Sequence, residues 1–399
     1  MTDWSAPRGP FSLGRGRGRP AGALDRAAAV APVRRLDWIL LGAVAGLAVL
    51  GALLVWSATK PYNLTVGLDP NAYLKKDLLN IVIGVVLGAI TILVDYRSLR
   101  AYTPVLYAGC ILGLLAVLSP LGSVVNGAHA WISLGGGFEV QPSEFTKIAL
   151  VVGLAMLLAE RQDREAGPRD SDVMLALALA GLPVLLILVE PDLGVVLVCL
   201  AIIIGVLALS GARTRWIVGL LLFGVIGSFL VVRLHLLKTY QLQRLTAFTN
   251  PHANASSTGY NTHQAAIAIG SGGWTGKGLF HGSQTNGHFV PEQQTDFIFT
   301  VAGEELGFAG SAVLIALLGV VLWRGMRIAA QTEDLFGRLV AVGIVCWFGF
   351  QSFQNIGMTL GIMPVTGIPL PFISYGGSSM FANMVAIGLL ENVHARSRE

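Results

Sequence analysis

The chain has 399 residues, of which 54% are hydrophobic and only 13% charged, with a formal net charge of +4. Soluble domains carry about 25% charged residues, so composition excludes a soluble globular protein and points to one built for a bilayer. Cys110, Cys199 and Cys346 all fall inside apolar segments and read as packing residues, without disulfide or metal spacing.

Residues 1–37 include "PRGPFSLGRGRGRPAG", rich in Gly, Arg and Pro, and are expected to be a disordered tail. Attraction to anionic lipid explains its charge better than nucleic acid, which is not an expected partner. No signal peptide is expected, because the first apolar run begins after residue 37, has full span length and is followed by more. Ten spans follow, at about 38–58, 78–94, 102–121, 145–160, 173–189, 193–209, 216–234, 297–323, 339–363 and 372–390. The alternation of a β-barrel is absent, so the expected fold is an all-α integral membrane protein, a polytopic bundle of about ten transmembrane helices. Val173–Ser210 would be about 57 Å long as one helix at ~1.5 Å per residue, against a hydrocarbon core of ~30 Å. A break at "EPD" resolves this, with Pro191 at the turn. A long extracytoplasmic segment, about 235–296, separates the seventh and eighth spans, and 393–399 is a short tail.

Ten spans put both termini on one side. With that side inside, 19 of the 27 basic residues, all Arg, lie in the tails and inner turns. The positive-inside rule therefore makes both termini cytoplasmic. The stretches at 126–147, 190–192, 235–296 and 364–379 then all face outward, and whatever chemistry the chain performs is expected there.

"AIGSGGWTGKGLFHGSQTNG" looks like a phosphate loop but fails its spacing twice, with Ser271 where the first Gly belongs and Gly278 where Ser or Thr belongs. A flexible loop that orders on binding is expected instead, with Lys277 available to an anion. The seven histidines show no metal-ligand spacing, and no Gly-x-Ser-x-Gly elbow occurs. Carboxylates carry more. Asp296 stands where a polar segment meets Phe297–Phe299, and partial desolvation there would raise its pKa toward that of a general base. Glu292 is expected to order the start of that helix, near its positive dipole end. Glu304 and Glu305 lie further into the apolar segment, where acids face a cavity or tie helices together. "QPSEFTK" puts Glu144 and Lys147 three apart on one helix face, with Pro142 and Ser143 suited to its first turn. Glu190, Asp192 and Arg244 complete a mixed-charge rim, a layout that suits a lipid-linked, phosphorylated substrate. Trp131 reads either as an interfacial anchor or as a surface for a sugar ring.

The stretches "NGAHAWISLG", "QPSEFTK", "EPDLG", "RLTAFTNP", "GYNTHQAAIAIGSGGWTGKGLFHGSQT", "FVPEQQTDFIFTVAGEELGF" and "NIGMTLGIMPVTGIPLPFISYGGSS" lie in the order of a known family. The chain resembles the SEDS proteins (shape, elongation, division and sporulation), the RodA branch more than FtsW, over residues 38–392. The resemblance implies a ten-helix peptidoglycan glycosyltransferase that polymerises lipid II at the outer face of the bacterial inner membrane. It also implies a class B penicillin-binding protein as partner, with other elongation-complex membrane proteins. Asp296 is then the residue on which activity depends, and Trp131, Gln141, Ser143, Glu144, Lys147, Glu190, Asp192, Arg244, Lys277, Glu292, Glu304, Glu305 and Ser378 are expected around the substrate. No tightly bound cofactor is implied; Mg or Mn is expected to support activity. The chain departs from its relatives at Ala130, where many have a basic residue, at Gln294, where many have His, and at Val195, where Thr is common.

A sugar hydroxyl would attack the anomeric carbon of the donor, with Asp296 as base and Lys147, Arg244 or Lys277 countering the leaving diphosphate. A diphosphate leaves without a proton, so the second carboxyl of a glycosidase is not needed. The rivals are a flippase or transporter for the lipid-linked precursor, a pure scaffold for cell-wall enzymes, and a division-specific polymerase.

Overall fold

The computed structural model describes residues 35–125, 128–135, 138–160, 167–234 and 258–397. The chain order is α1 (Trp38–Val66), α2 (Ala72–Leu93), α3 (Tyr96–Leu118), β1 (Gly122–Val125), β2 (Ala128–Gly135), β3 (Phe138–Val140), α4 (Pro142–Glu160), α5 (Asp170–Val189), α6 (Leu193–Leu209) and α7 (Thr214–Arg233). It continues with α8 (Thr258–Ser271), α9 (Ser283–Asn286), α10 (Ile298–Glu305), α11 (Gly307–Gln331), α12 (Leu335–Thr359) and α13 (Gly377–Arg396). Among the described residues, seven helices are long and apolar enough to cross a membrane: α1 to α5, α11 and α12. α6 and the start of α7 are shorter apolar helices. α13, though twenty residues long, carries buried Asn383, Glu391 and Asn392. This is an integral membrane protein with a helical bundle.

Each expected span contains a helix, with two corrections. The segment expected as one span at 297–323 is two helices, since Gly307 at φ +65° ends α10 and starts α11. The bundle also carries a β-element absent from the expected all-α fold. β1, β2 and β3 form an antiparallel sheet in that order, pairing Ser123 with Trp131 and Ser133 with Glu139. The break at "EPD" is present, with α5 ending at Val189 and α6 starting at Leu193 under an Asp192 N-cap.

α4 and α12 form the centre, and most of both is buried. Small residues let the backbones close up, as membrane helices require without a hydrophobic driving force between them. A Cβ on Gly388 of α13 would lie 2.5 Å from the Gly88 carbonyl of α2, so neither position admits a larger residue without displacement. Of the cysteines, Cys199 is buried, Cys110 and Cys346 are half-buried, and all three are free.

At one end of the bundle Asp37 caps α1 through Ile39 and Leu40 N–H, donates its own N–H to Glu391 (2.9 Å) and pairs with Arg324. This ties α1, α11 and α13 together. Asp296 and the 364–378 loop lie at the other end.

Candidate active site

The turn before α10 gathers on one carbonyl. Glu292, at φ +52°, accepts at its backbone oxygen from the N–H groups of Thr295, Asp296 and Phe297. Its backbone carbonyl, rather than the carboxylate charge expected near the helix dipole, thus orders the start of α10. Its exposed carboxylate accepts weakly from Thr295 Oγ1 (3.3 Å) and Gln294 Nε2 (3.4 Å).

Asp296 is half-buried, one residue before the apolar run begins. Asn355 of α12 fixes it, donating from Nδ2 to the Asp296 carbonyl (2.8 Å) and to the Ile368 carbonyl (2.7 Å). Its carboxylate lies over Gly367, where a Cβ would sit 3.3 Å from Oδ2. Gly367 has φ +75°, which a larger residue would resist, so glycine sets both the bend and the space. Two more α12 amides hold the same loop: Gln351 donates to the Pro369 carbonyl (2.8 Å) and Gln354 to Pro364 (3.0 Å). Tyr375 N–H closes the ring on the Gln294 carbonyl (2.9 Å).

The remaining rim joins through side chains. Gln141 donates from its backbone to Ser378 Oγ (3.0 Å) and from Nε2 to Asp192 Oδ2 (3.0 Å). Ser378 Oγ donates on to the Glu139 carbonyl (3.3 Å), and Gly194 packs against Thr366 and Ile368. Gln141, Asp192 and Asp296 therefore border one stretch, 364–378, which itself contributes Ser378.

Glu144 and Lys147 face inward instead. Lys147 Nζ lies 2.9 Å from both Glu144 oxygens, 3.0 Å from Gln351 Oε1 and 4.6 Å from the Trp347 ring centroid, with 1% of its side chain exposed. The charge expected to meet a diphosphate is neutralised inside the protein, because a buried ammonium needs its partner close. Through Gln351, this pair supports the Pro369 carbonyl of the site loop. Ser143 is also buried, its hydroxyl without a hydrogen-bond partner.

Lys277 is also ion-paired, but 29% of its side chain stays exposed. Its ammonium is bound by Glu304 Oε1 (2.7 Å), Ser271 Oγ (2.8 Å) and Ser283 Oγ (2.9 Å). The glycine-rich stretch is an ordered, packed C-terminal cap: Lys277 and Gly278 N–H groups donate to the Glu304 and Glu305 carbonyls at the end of α10. Gly272 and Gly276 lie so close that a Cβ would meet the Gly303 and Glu305 carbonyls at 2.0 and 2.1 Å. Glycine content that suggested mobility comes from close backbone packing.

Glu304 also accepts from the N–H groups of Gln284 (2.9 Å) and Thr285 (2.8 Å). Burial alone would raise its pKa, but Lys277 and these amides reverse that and hold it below the usual glutamate value. Glu305 accepts from Ser57 Oγ (2.7 Å), and burial outweighs this and the nearby Gly282 and Phe280 amides to push it up to about 7. Of the two expected roles, tying helix to neighbour is the one this geometry gives both residues.

Glu190 is fully buried beside Asp192 with neither carboxylate oxygen hydrogen-bonded, and burial and then the Asp192 charge push it up to about 8. Trp131 sits half-buried in β2, its carbonyl accepting from Ser123 Oγ (3.1 Å). Arg244 lies outside the described residues. Gln351, Gln354, Asn355 and Gly367 were not singled out from sequence. Their signal was three amides on one α12 face before a Pro- and Gly-rich loop, polar groups too costly in an apolar span without internal partners.

A family model described as "Cell cycle protein", of the FtsW, RodA and SpoVE proteins, matches residues 37–399. Stage V sporulation protein E of Bacillus subtilis is 39% identical over 350 residues, covering 88% of this chain and 94% of that protein. A probable peptidoglycan glycosyltransferase FtsW of Trichlorobacter lovleyi is 37% identical, covering 90% of this chain and 93% of that one. Among solved structures, a chain from a study of polymerization and crosslinking by a peptidoglycan synthase complex superposes with a TM-score of 0.77 at 31% identity, covering 91% of this chain and 99% of that one. The rod shape determining protein RodA of Thermus thermophilus superposes at 0.67 and 30% identity, with 91% and 98% covered. With the match running from Asp37 through every element described above, the chain belongs to the FtsW/RodA/SpoVE family, the SEDS proteins.

Proposed function

We propose that this protein is a peptidoglycan glycosyltransferase that polymerises lipid II at the outer face of the bacterial cytoplasmic membrane, with both termini inside. One observation carries the reading: Asp296 is a carboxylate at a polar–apolar boundary, fixed at its backbone and placed over a glycine that leaves room beside it. The acceptor sugar hydroxyl gives its proton to Asp296 while its oxygen attacks the anomeric carbon of the donor. The bond to the lipid diphosphate breaks, and undecaprenyl diphosphate leaves without needing a proton. Asn355 fixes the backbone of the base and the other α12 amides fix the loop beneath it, so the backbone needs little reorganisation for reaction. A single displacement inverts the anomeric centre. With Lys147 buried in its own ion pair, Lys277 and Arg244 are the candidates to face the diphosphate. Gln141, Asp192, Ser378 and Trp131 border the site, while Ser143, Glu144, Glu190, Glu292, Glu304 and Glu305 support it.

Among the described residues no three Asp, Glu, His or Cys side chains stand together to hold a metal ion. A divalent cation would then arrive on the substrate's diphosphate, which activity with Mg or Mn against EDTA tests. The role in elongation and rod shape, alongside a class B penicillin-binding protein and other elongation-complex proteins, is part of the proposal. Restoration of rod shape, rather than septation, in depleted cells tests it.

The main test compares wild type with Asp296→Asn in lipid II polymerisation with the penicillin-binding partner. Loss of a general base costs roughly 10²–10⁴-fold, so a folded Asn variant is expected to make at least about a hundredfold less glycan. Equal strands from both remove Asp296 as base. Lipid II crossing liposomes without polymerisation turns the function to a flippase.

A further inference from the structure

A cavity of about 590 Å³ runs between α1, α2 and α13, walled only by apolar side chains and glycine. Its α1 wall extends from Leu41 to Leu53 and its α2 wall from Leu74 to Ile92, with Met384, Ile387 and Gly388 from α13 behind. The α2 wall covers about 27 Å at ~1.5 Å per residue, nearly the full ~30 Å of hydrocarbon. Spread over that length, the cavity leaves about 5 Å of travel for the centre of a water-sized sphere, and so about 8 Å from wall to wall, room for a methyl-branched hydrocarbon chain in van der Waals contact with its walls. A partner helix, at ~10 Å in diameter, does not fit.

The width admits hydrocarbon chain and not a helix, and the length selects which chain. A phospholipid acyl chain enters from one leaflet and covers about half the ~30 Å core. A much longer chain held at one face would fill the groove from end to end. One end of the groove runs into the candidate site: Gly51, next to groove-lining Ala52, packs so closely under Ile373 that a Cβ would lie 2.7 Å from its backbone. From that loop Tyr375 bonds Gln294, two residues before Asp296. The neighbouring turn is seated on α1 itself, Gln293 Nε2 donating to the Ala58 carbonyl (3.0 Å).

We infer that this groove between α1, α2 and α13 holds the polyprenyl chain of the lipid-linked substrate and so delivers its head to the Asp296 turn. The inference rests on the glycosyltransferase reading. Ala45 and Ala89 both line the groove and both are exposed, so a bulky residue at either fills the groove without overpacking the core.

The first readout needs no turnover. The full chain carries p-benzoylphenylalanine at position 45 or 89 in phosphatidylglycerol vesicles containing polyprenyl diphosphate. Irradiation is expected to couple the chain to polyprenyl diphosphate at both positions, and not from position 105 on α3, which lies outside the groove. Coupling to phospholipid alone overturns the inference. The second readout is kinetic. Ala45→Phe and Ala89→Phe are expected to raise KM for long-chain lipid II about tenfold, but by less than about twofold for a short-prenyl analogue. Equal effects on both substrates also overturn it. A wild type that binds the chain but polymerises neither substrate sinks the glycosyltransferase reading and leaves the groove standing.

Discussion

At the scale of the residue, the informative side chains are charges that the fold has taken out of water. Lys147 and Glu144 are nearly unexposed, and each is acceptable only because the other is there. Removing one partner of a buried pair typically costs about 3–5 kcal/mol, whereas replacing both with apolar groups is often neutral. Lys147→Met alone is therefore expected to lower the detergent melting temperature sharply, and the double change Glu144→Leu/Lys147→Met to recover most of it. A double mutant as unstable as the single would show that the pair does more than neutralise itself. Glu190 has no such partner. Its folded pKa of about 8 stands above the ordinary 4.5, so the native state keeps a proton the unfolded chain loses. Its contribution to stability is then fully present below about pH 4.5 and is lost as pH rises to about 8, by a few kcal/mol at ~1.4 kcal/mol per unit. Thermal melts from about pH 5 to 9 are expected to fall for wild type and to stay flatter for Glu190→Gln. Parallel curves would show that Glu190 is ionised in the fold.

At the scale of the element, α10 shows how a short helix can be essential without spanning anything. Its eight residues carry two buried acids at the C-terminal end, and the 272–287 backbone wraps that end. The capping N–H groups come from Lys277 and Gly278, and Gly276 makes the approach possible. Gly276→Ala would place a methyl 2.1 Å from the Glu305 carbonyl in a backbone at φ +78°. Strain at such a position costs on the order of 1–3 kcal/mol before any clash. Faster hydrogen exchange at residues 277–285 in that variant, with α4 and α12 unchanged, is the expected result. Unchanged exchange there would mean the loop is held by something other than this contact.

At the scale of the whole molecule, sequence legibility followed the physics of each signal. Span positions were readable because hydrocarbon thickness imposes a run length, and 193–209 coincides with α6. The β-sheet was passed over although Asn126–Gly127, a strong hairpin dipeptide, lies between the β1 and β2 segments. Its strands are short, and the alternation sought was that of a barrel. Asp296 was legible from its place at a polarity boundary, while the Asn355 clamp on its carbonyl joins residues 59 apart, too distant in sequence to form a pattern. The Glu144–Lys147 pair was legible from its spacing, but its burial against Gln351 of α12 was not, and Lys277 looked available because its partner Glu304 lies 27 residues away.

Distance in sequence also governs how the far end of the bundle is held. Asp37 joins Arg324 and Glu391 and caps α1, so one residue at the edge of the family match fastens three helices. A chain beginning at residue 35 is expected to melt within about 1 °C of the full protein and to polymerise equally, since the family match begins only at residue 37. Asp37→Asn keeps the helix cap but strands Arg324 without its anion, and is expected to cost roughly 3 kcal/mol. The two melting curves, taken together, locate the start of the folded unit. If the truncated chain falls with the Asn variant, the tail packs on the bundle; if neither moves, the α1–α11–α13 knot does not hold the fold at that end.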